Sequence, residues 1–180
     1  MARIDFLKKK IEGYLRKEQL LKKEEYTKLE KPFLKKARKN FTVANLMFRI
    51  SEQNEFKKTL ELSDDFETYE WVIVVSYYAM YVSALAALAK LGFKSKSHAA
   101  TISVLEHYYA HKQKNLKAKH IQQLTKAYVL SEDLINKLIQ TKTRRETAQY
   151  DATPGISREN AVNALEDAEE FITKIEEILS

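Results

Sequence analysis

Residues 71–89 read WVIVVSYYAMYVSALAALA, nineteen positions between Glu70 and Lys90 without a charge. A helix that is apolar all round is buried either in lipid or in protein, and this one reaches the roughly 18 residues at which a membrane span becomes a candidate. Tyr77, Tyr78 and Tyr81 favour protein. Three phenol hydroxyls near the middle of a span need partners that hydrocarbon does not offer, whereas neighbouring helices do. The stretch therefore predicts the central helix of an all-α, up-and-down helical bundle, over about 65–91, with no membrane role. The small residues Ala79, Ser83, Ala86 and Ala87 would let another helix approach closely, from the same chain or from a second copy.

The flanking segments have the amphipathic character that such a helix requires. Ile4, Leu7, Ile11, Tyr14, Leu15 and Leu21 keep helical spacing and predict a first helix over roughly 3–30. Lys31-Pro32 interrupts it, because the residue before proline leaves the α region while proline itself suits a first turn. A second helix should start near Pro32 with Leu34, Ala37, Phe41, Ala44 and Phe48 on its stripe. Asp64 and Glu67 stand at capping-box spacing ahead of the central helix, and Gly92 falls where a C′ glycine closes it. Ser95 or Ser97 can cap a helix over 97–112. Ile121, Leu124 and Tyr128 mark another, and Leu134, Ile135, Leu138 and Ile139 carry a helix toward Tyr150. After Pro154-Gly155, Ser157 caps a last helix striped by Ala161, Leu165, Ala168, Ile172, Ile175 and Leu179.

Composition agrees with one domain over 1–180, in which 1–31 reads as an N-terminal helical extension. The chain of 180 residues holds 3 Gly and 2 Pro, well under the roughly 12% of average usage, which excludes turn-rich sandwiches and barrels. With 0 Cys there is no disulfide and no thiolate chemistry. Lys8-Lys9-Lys10 cut short any apolar leader, so a cytoplasmic location is expected. The net charge of +6 resolves into +8 over 1–40, −4 over 41–89, +9 over 90–145 and −7 over 146–180. Such blocks predict a basic face and an acidic face, suited to a phosphate backbone or a complementary protein, or simply to solvation.

Few residues can carry chemistry. The chain has 4 His, of which His107 and His111 are four apart on one helix, but Tyr108 stands where the zinc-protease motif has Glu and no third ligand is specified. No metal and no cofactor are expected: glycines at 13, 92 and 155 cannot form a phosphate-cradling loop. Arg144 and Arg145 remain, as fixed cations able to grip phosphate with two parallel hydrogen bonds, together with Tyr150 at a chain break.

Ser76-Tyr77-Tyr78-Ala79-Met80-Tyr81, followed by Ala84-Leu85 and, past a glycine, by His98, resembles the core of prokaryotic HEPN-domain proteins. Arg144-Arg145-Glu146, Ala148 and Tyr150, then Ser157-Arg158-Glu159 and the Ala168 to Ile172 stretch, resemble the tail of the same group. The resemblance covers about residues 35–180. It implies a helical bundle acting as a homodimer, and an RNA- or nucleotide-binding module of a toxin–antitoxin or defence-type system with a minimal nucleotidyltransferase partner. It also implies Arg144, Arg145, His98 and Tyr150 as binding residues. Many catalytic members of the group are metal-independent ribonucleases with an Arg-x4–6-His motif. Here the positions after Arg144 and Arg145 hold no His, so Arg145 and Tyr150 are the candidates for a degenerate active site, and a phenol with a pKa of about 10 is a weak proton carrier at neutral pH. The alternatives to a binding module are thus such a ribonuclease toxin or a non-catalytic dimerisation or adaptor domain.

Overall fold

A computed structural model describes residues 2–113, 116–128 and 157–180. In chain order these form α1 (Ala2–Arg16), β1 (Leu20–Lys22), a 3₁₀ turn (Glu24–Leu29), α2 (Glu30–Glu52), α3 (Asn54–Thr59), α4 (Tyr69–Lys90) and β2 (Phe93–Ser95). They continue with α5 (His98–Leu105), a π-helical turn (Glu106–Lys112), α6 over 118–128, and α7 (Arg158–Leu179). The fold is all-α, and among the described residues the exception is one short antiparallel ribbon, in which Leu20, Leu21 and Lys22 face Ser95, Lys94 and Phe93.

Helix α4 is the centre. Its buried positions include Val72, Ile73, Tyr77, Met80, Ala84, Ala87 and Leu88, with Trp71 and Tyr78 exposed on the opposite strip. Helices α2 and α7 provide its most extensive packing. Helix α2 buries Ala37, Ala44 and Ser51. The small residues predicted as a close-approach stripe on α4, Ala79, Ser83, Ala86 and Ala87, are fully buried within the same chain. Phe171, Ile172 and Ile175 of α7 are fully buried over the other flank.

The predicted long first helix ends at Arg16. Glu18 takes a left-handed turn at φ 54°, and the chain reverses into β1, which pairs with residues more than seventy positions away. Leu20 is fully buried, with Leu7 and Ile11 beside it in the core. Gly92 closes the other side of this ribbon. Its φ is +74°, and a Cβ there would lie 3.1 Å from the Lys23 carbonyl oxygen, whose own N–H donates to the Gly92 carbonyl at 2.9 Å. Pro32 falls in the first turn of α2, as its fixed φ favours. Ser97 and Ser157 cap α5 and α7 by accepting from the N–H groups of Ala100 and Asn160. The Asp64/Glu67 capping box does not form; α4 begins after Thr68, which has no side-chain cap. Instead the Thr68 N–H donates to Ser51 Oγ at 2.9 Å, tying the start of α4 to the end of α2.

Among the described residues, ion pairs join the acidic and basic blocks. Acidic α7 pairs with both basic segments: Arg38 grips Glu176 with two nitrogens, and Lys119 of α6 meets Glu170. Arg158 donates to Glu52 at 2.6 Å and lies 5.6 Å from the centre of the Phe48 ring. These partly exposed pairs each contribute little, about 0–1 kcal/mol, but they fix which blocks lie together.

Gly92→Ala must place a β-carbon on a left-handed backbone against Lys23. We expect it to cost about 1–2 kcal/mol, read as a lower urea midpoint with an unchanged m-value. Phe171→Ala opens a cavity beside α4 and should cost about 3–5 kcal/mol in the same experiment.

Candidate functional site

One turn of chain delivers His98. Gly92 ends α4, β2 carries the chain back along β1, and Ser97 caps α5, so that His98 becomes the first helical residue. On α4, Tyr77 and Tyr81 are four apart and share a face. The Tyr77 hydroxyl sits against both ring nitrogens of His98, Nδ1 at 2.8 Å and Nε2. Either neutral tautomer of the imidazole therefore finds a partner there. The Tyr81 ring lies 4.0 Å from the imidazole, centre to centre. On the other side Tyr128 of α6 stacks on it at 4.1 Å and 19°. The imidazole is sandwiched between two phenols with a third holding it by hydrogen bond, at the seam of α4, α5 and α6.

Burial sets the electrostatics. Desolvation pulls the His98 pKa down to about 4, and no carboxylate among the described residues opposes this. The ring is therefore neutral throughout the physiological range, which is the form able to accept a proton. Desolvation likewise pushes the Tyr81 hydroxyl up, opposed by its hydrogen bond with Thr101. The group can stack, and it can donate or accept hydrogen bonds. It carries no fixed charge of its own.

Of the residues singled out from sequence, His98 is brought into this cluster, while Arg144, Arg145 and Tyr150 lie outside the described residues. Sequence reasoning missed Tyr128 and Thr101 as its neighbours. The i, i+4 tyrosines were the available signal for Tyr77 and Tyr81, but nothing local announces that α6 lays Tyr128 over the ring. His107 and His111 fall in the π-helical turn, where the Gln113 N–H reaches back five residues to the Tyr108 carbonyl at 2.9 Å. His107 is buried and His111 lies 3.8 Å from Glu106. Among the described residues no group of three or more His, Cys, Asp or Glu is arranged to hold a metal ion. His120 is structural: its Nδ1 accepts from the Lys117 N–H at 3.1 Å, capping α6.

Residues 47–178, from within α2 to the end of α7, match the HEPN domain family. The chain belongs to that family. It is also 27% identical over 129 residues to a UPF0332 protein of Archaeoglobus fulgidus, covering 72% of this chain and 90% of that protein. The HEPN match includes the whole His98 cluster. It leaves out α1 and β1, which here are built into the same core.

The sign of the His98 shift gives a pH prediction. An imidazole at about 4 in the folded protein and about 6.5 in the unfolded chain is protonated first in the unfolded state. Its contribution to stability is thus constant above pH 6.5 or so and is lost as pH falls from there toward 4. His107 and His120, also lowered by burial, act in the same direction. In His98→Phe the pH dependence of the urea midpoint over this window should flatten, and NMR of the wild-type protein should show the His98 ring neutral at pH 5.5.

Proposed function

We propose that this HEPN-family chain binds RNA or a nucleotide, as the module of a toxin–antitoxin or defence-type system that works as a homodimer beside a minimal nucleotidyltransferase, in the cytoplasm. The observation that carries the reading is the His98 cluster. Three tyrosines and a neutral imidazole meet at a helix seam inside the region shared with the family, and His98 is the residue that the family resemblance selects. Partly exposed aromatic rings such as Tyr81 and Tyr128 hold unpaired bases, at about 1–3 kcal/mol per stacked base. Lys126, two residues from Tyr128, brings a cation to the same seam. Arg144 and Arg145, at the end of the second basic block, are the phosphate-gripping candidates, with Tyr150 alongside them.

A ribonuclease reading has one observation in its favour. His98 is hydrogen-bonded to the Tyr77 phenol at 2.8 Å, a pair through which a proton can pass, while burial makes the imidazole a weaker base than usual. It requires RNA cleavage in EDTA that is lost in Arg145→Ala and in His98→Ala. Intact RNA after long incubation leaves the binding module.

Filter binding of single-stranded RNA across a salt series tests the main reading. Affinity should fall linearly on a log–log plot, with a slope of about −0.7 per phosphate contacted. Reversing Arg144 and Arg145 to Glu should weaken binding at least tenfold and flatten the slope. A salt-independent response, unchanged by the reversal, contradicts phosphate contact and favours an adaptor domain.

A further inference from the structure

Beside the His98 cluster, and sharing Tyr77 with it, a small cleft of about 60 Å³ opens between α4, α6 and α7. That is several times the roughly 10–15 Å³ that a single water needs. At its base is Ser76, 1% exposed, whose hydroxyl has no hydrogen-bond partner among the described residues. A buried hydroxyl without a partner forfeits its hydration, so a group left this way in a polar cleft points to something that completes it. A second buried atom without a partner lies in the adjoining network: Gln123 Oε1. The same side chain's Nε2 donates to Asp167 Oδ1 at 3.1 Å.

The rim is polar and its walls are apolar. Ile73, Ala127, Ala164 and the Tyr77 ring form the walls. Asn160, Asn163, Asp167 and Lys126 stand round the opening. Asn160 Oδ1 is occupied by the Ser157 hydroxyl at 2.7 Å, so what Asn160 offers is its NH₂. Asp167 Oδ1 is occupied by Gln123, so Oδ2 is left to accept. Several donors therefore surround one carboxylate oxygen, with the charges of Lys126 and Asp167 offsetting each other.

A flat ring with apolar faces and a polar edge fits that description better than a bare anion, which Asp167 would repel. Among the bases, guanine places two adjacent donors, N1–H and N2–H₂, beside the O6 acceptor. We propose that this cleft takes the Watson–Crick edge of a guanine base, with Asp167 accepting from its N1–H and N2–H groups and Asn163, Ser76 and Lys126 standing as the donors for its O6. The proposal rests on the RNA or nucleotide reading above and adds a base identity and a place.

The experiment is an NMR titration of the isotope-labelled full chain with GMP, IMP, AMP, CMP and UMP, and with a single-stranded RNA carrying one guanosine. GMP should shift the Asn163 side-chain amide and the backbone amides of Ala127 and Ala164. IMP, which lacks the 2-amino group, should bind about tenfold more weakly than GMP, a base-edge contact's worth of affinity. Asn163→Ala, at an exposed position, should weaken GMP about tenfold with no change in melting temperature. Ser76→Ala should weaken GMP without lowering the melting temperature, since it removes a hydroxyl that has no partner.

A response to GMP assigns the cleft to free nucleotide, and a response only to the guanosine-bearing RNA assigns it to a strand; both support the proposal. Equal shifts with all five nucleotides overturn it. RNA bound with the cleft signals unmoved also overturns it, and leaves the RNA reading standing. Binding of neither RNA nor nucleotide removes both.

Discussion

The structure depends on burying most of nineteen consecutive uncharged residues. Most of α4 is covered: Trp71 and Tyr78 reach solvent on one strip of the helix, and the neighbouring elements are placed by the need to bury the rest. Helix α2 comes in on alanines, α7 on Phe171, Ile172 and Ile175, and α5 on Val104 and Leu105. The N-terminal ribbon adds Leu20 and Phe93 to the same core.

The functional candidate follows from the same demand. An apolar helix that carries tyrosines and serines must satisfy their hydroxyls inside the bundle. Ser83 solves this locally by donating to the Met80 carbonyl at 2.7 Å, and Tyr109 of the π turn donates to the Ala87 carbonyl at 2.7 Å. Tyr77 needs a partner from outside its own helix and finds it in His98. The imidazole loses hydration on entering, which keeps it neutral, and the phenols on both sides hold it there. Ser76, one residue earlier, is the hydroxyl left without a partner, and it opens onto the neighbouring cleft. Stability and site thus meet on consecutive residues of α4.

Much of this was legible in the sequence because it is local. The uncharged run, Pro32 in a first turn, Gly92 after α4, and the caps at Ser97 and Ser157 each rest on the chemistry of a few adjacent residues. What was not legible depends on distant partners. Leu20 to Lys22 look like more helix until β2 is known to lie beside them, and the shift from α to π winding at Glu106 is a tertiary matter. The pairing of the charge blocks is hidden for the same reason. Block charges say nothing of which helices will be neighbours, and Glu176 and Glu170 meet Arg38 and Lys119. The family resemblance found His98, while its surroundings required α4, α5 and α6 to be assembled.

The central claim is that the His98 seam is where this HEPN chain meets RNA, and hydrogen exchange read by mass spectrometry with and without single-stranded RNA tests it most directly. Protection on adding RNA should concentrate in peptides covering residues 73–85, 97–105 and 118–128, and should disappear when Tyr128 and His98 are both changed to Ala in a variant that still melts cooperatively. RNA binding that leaves those three segments unprotected, or that persists unchanged in the double variant, would contradict the account.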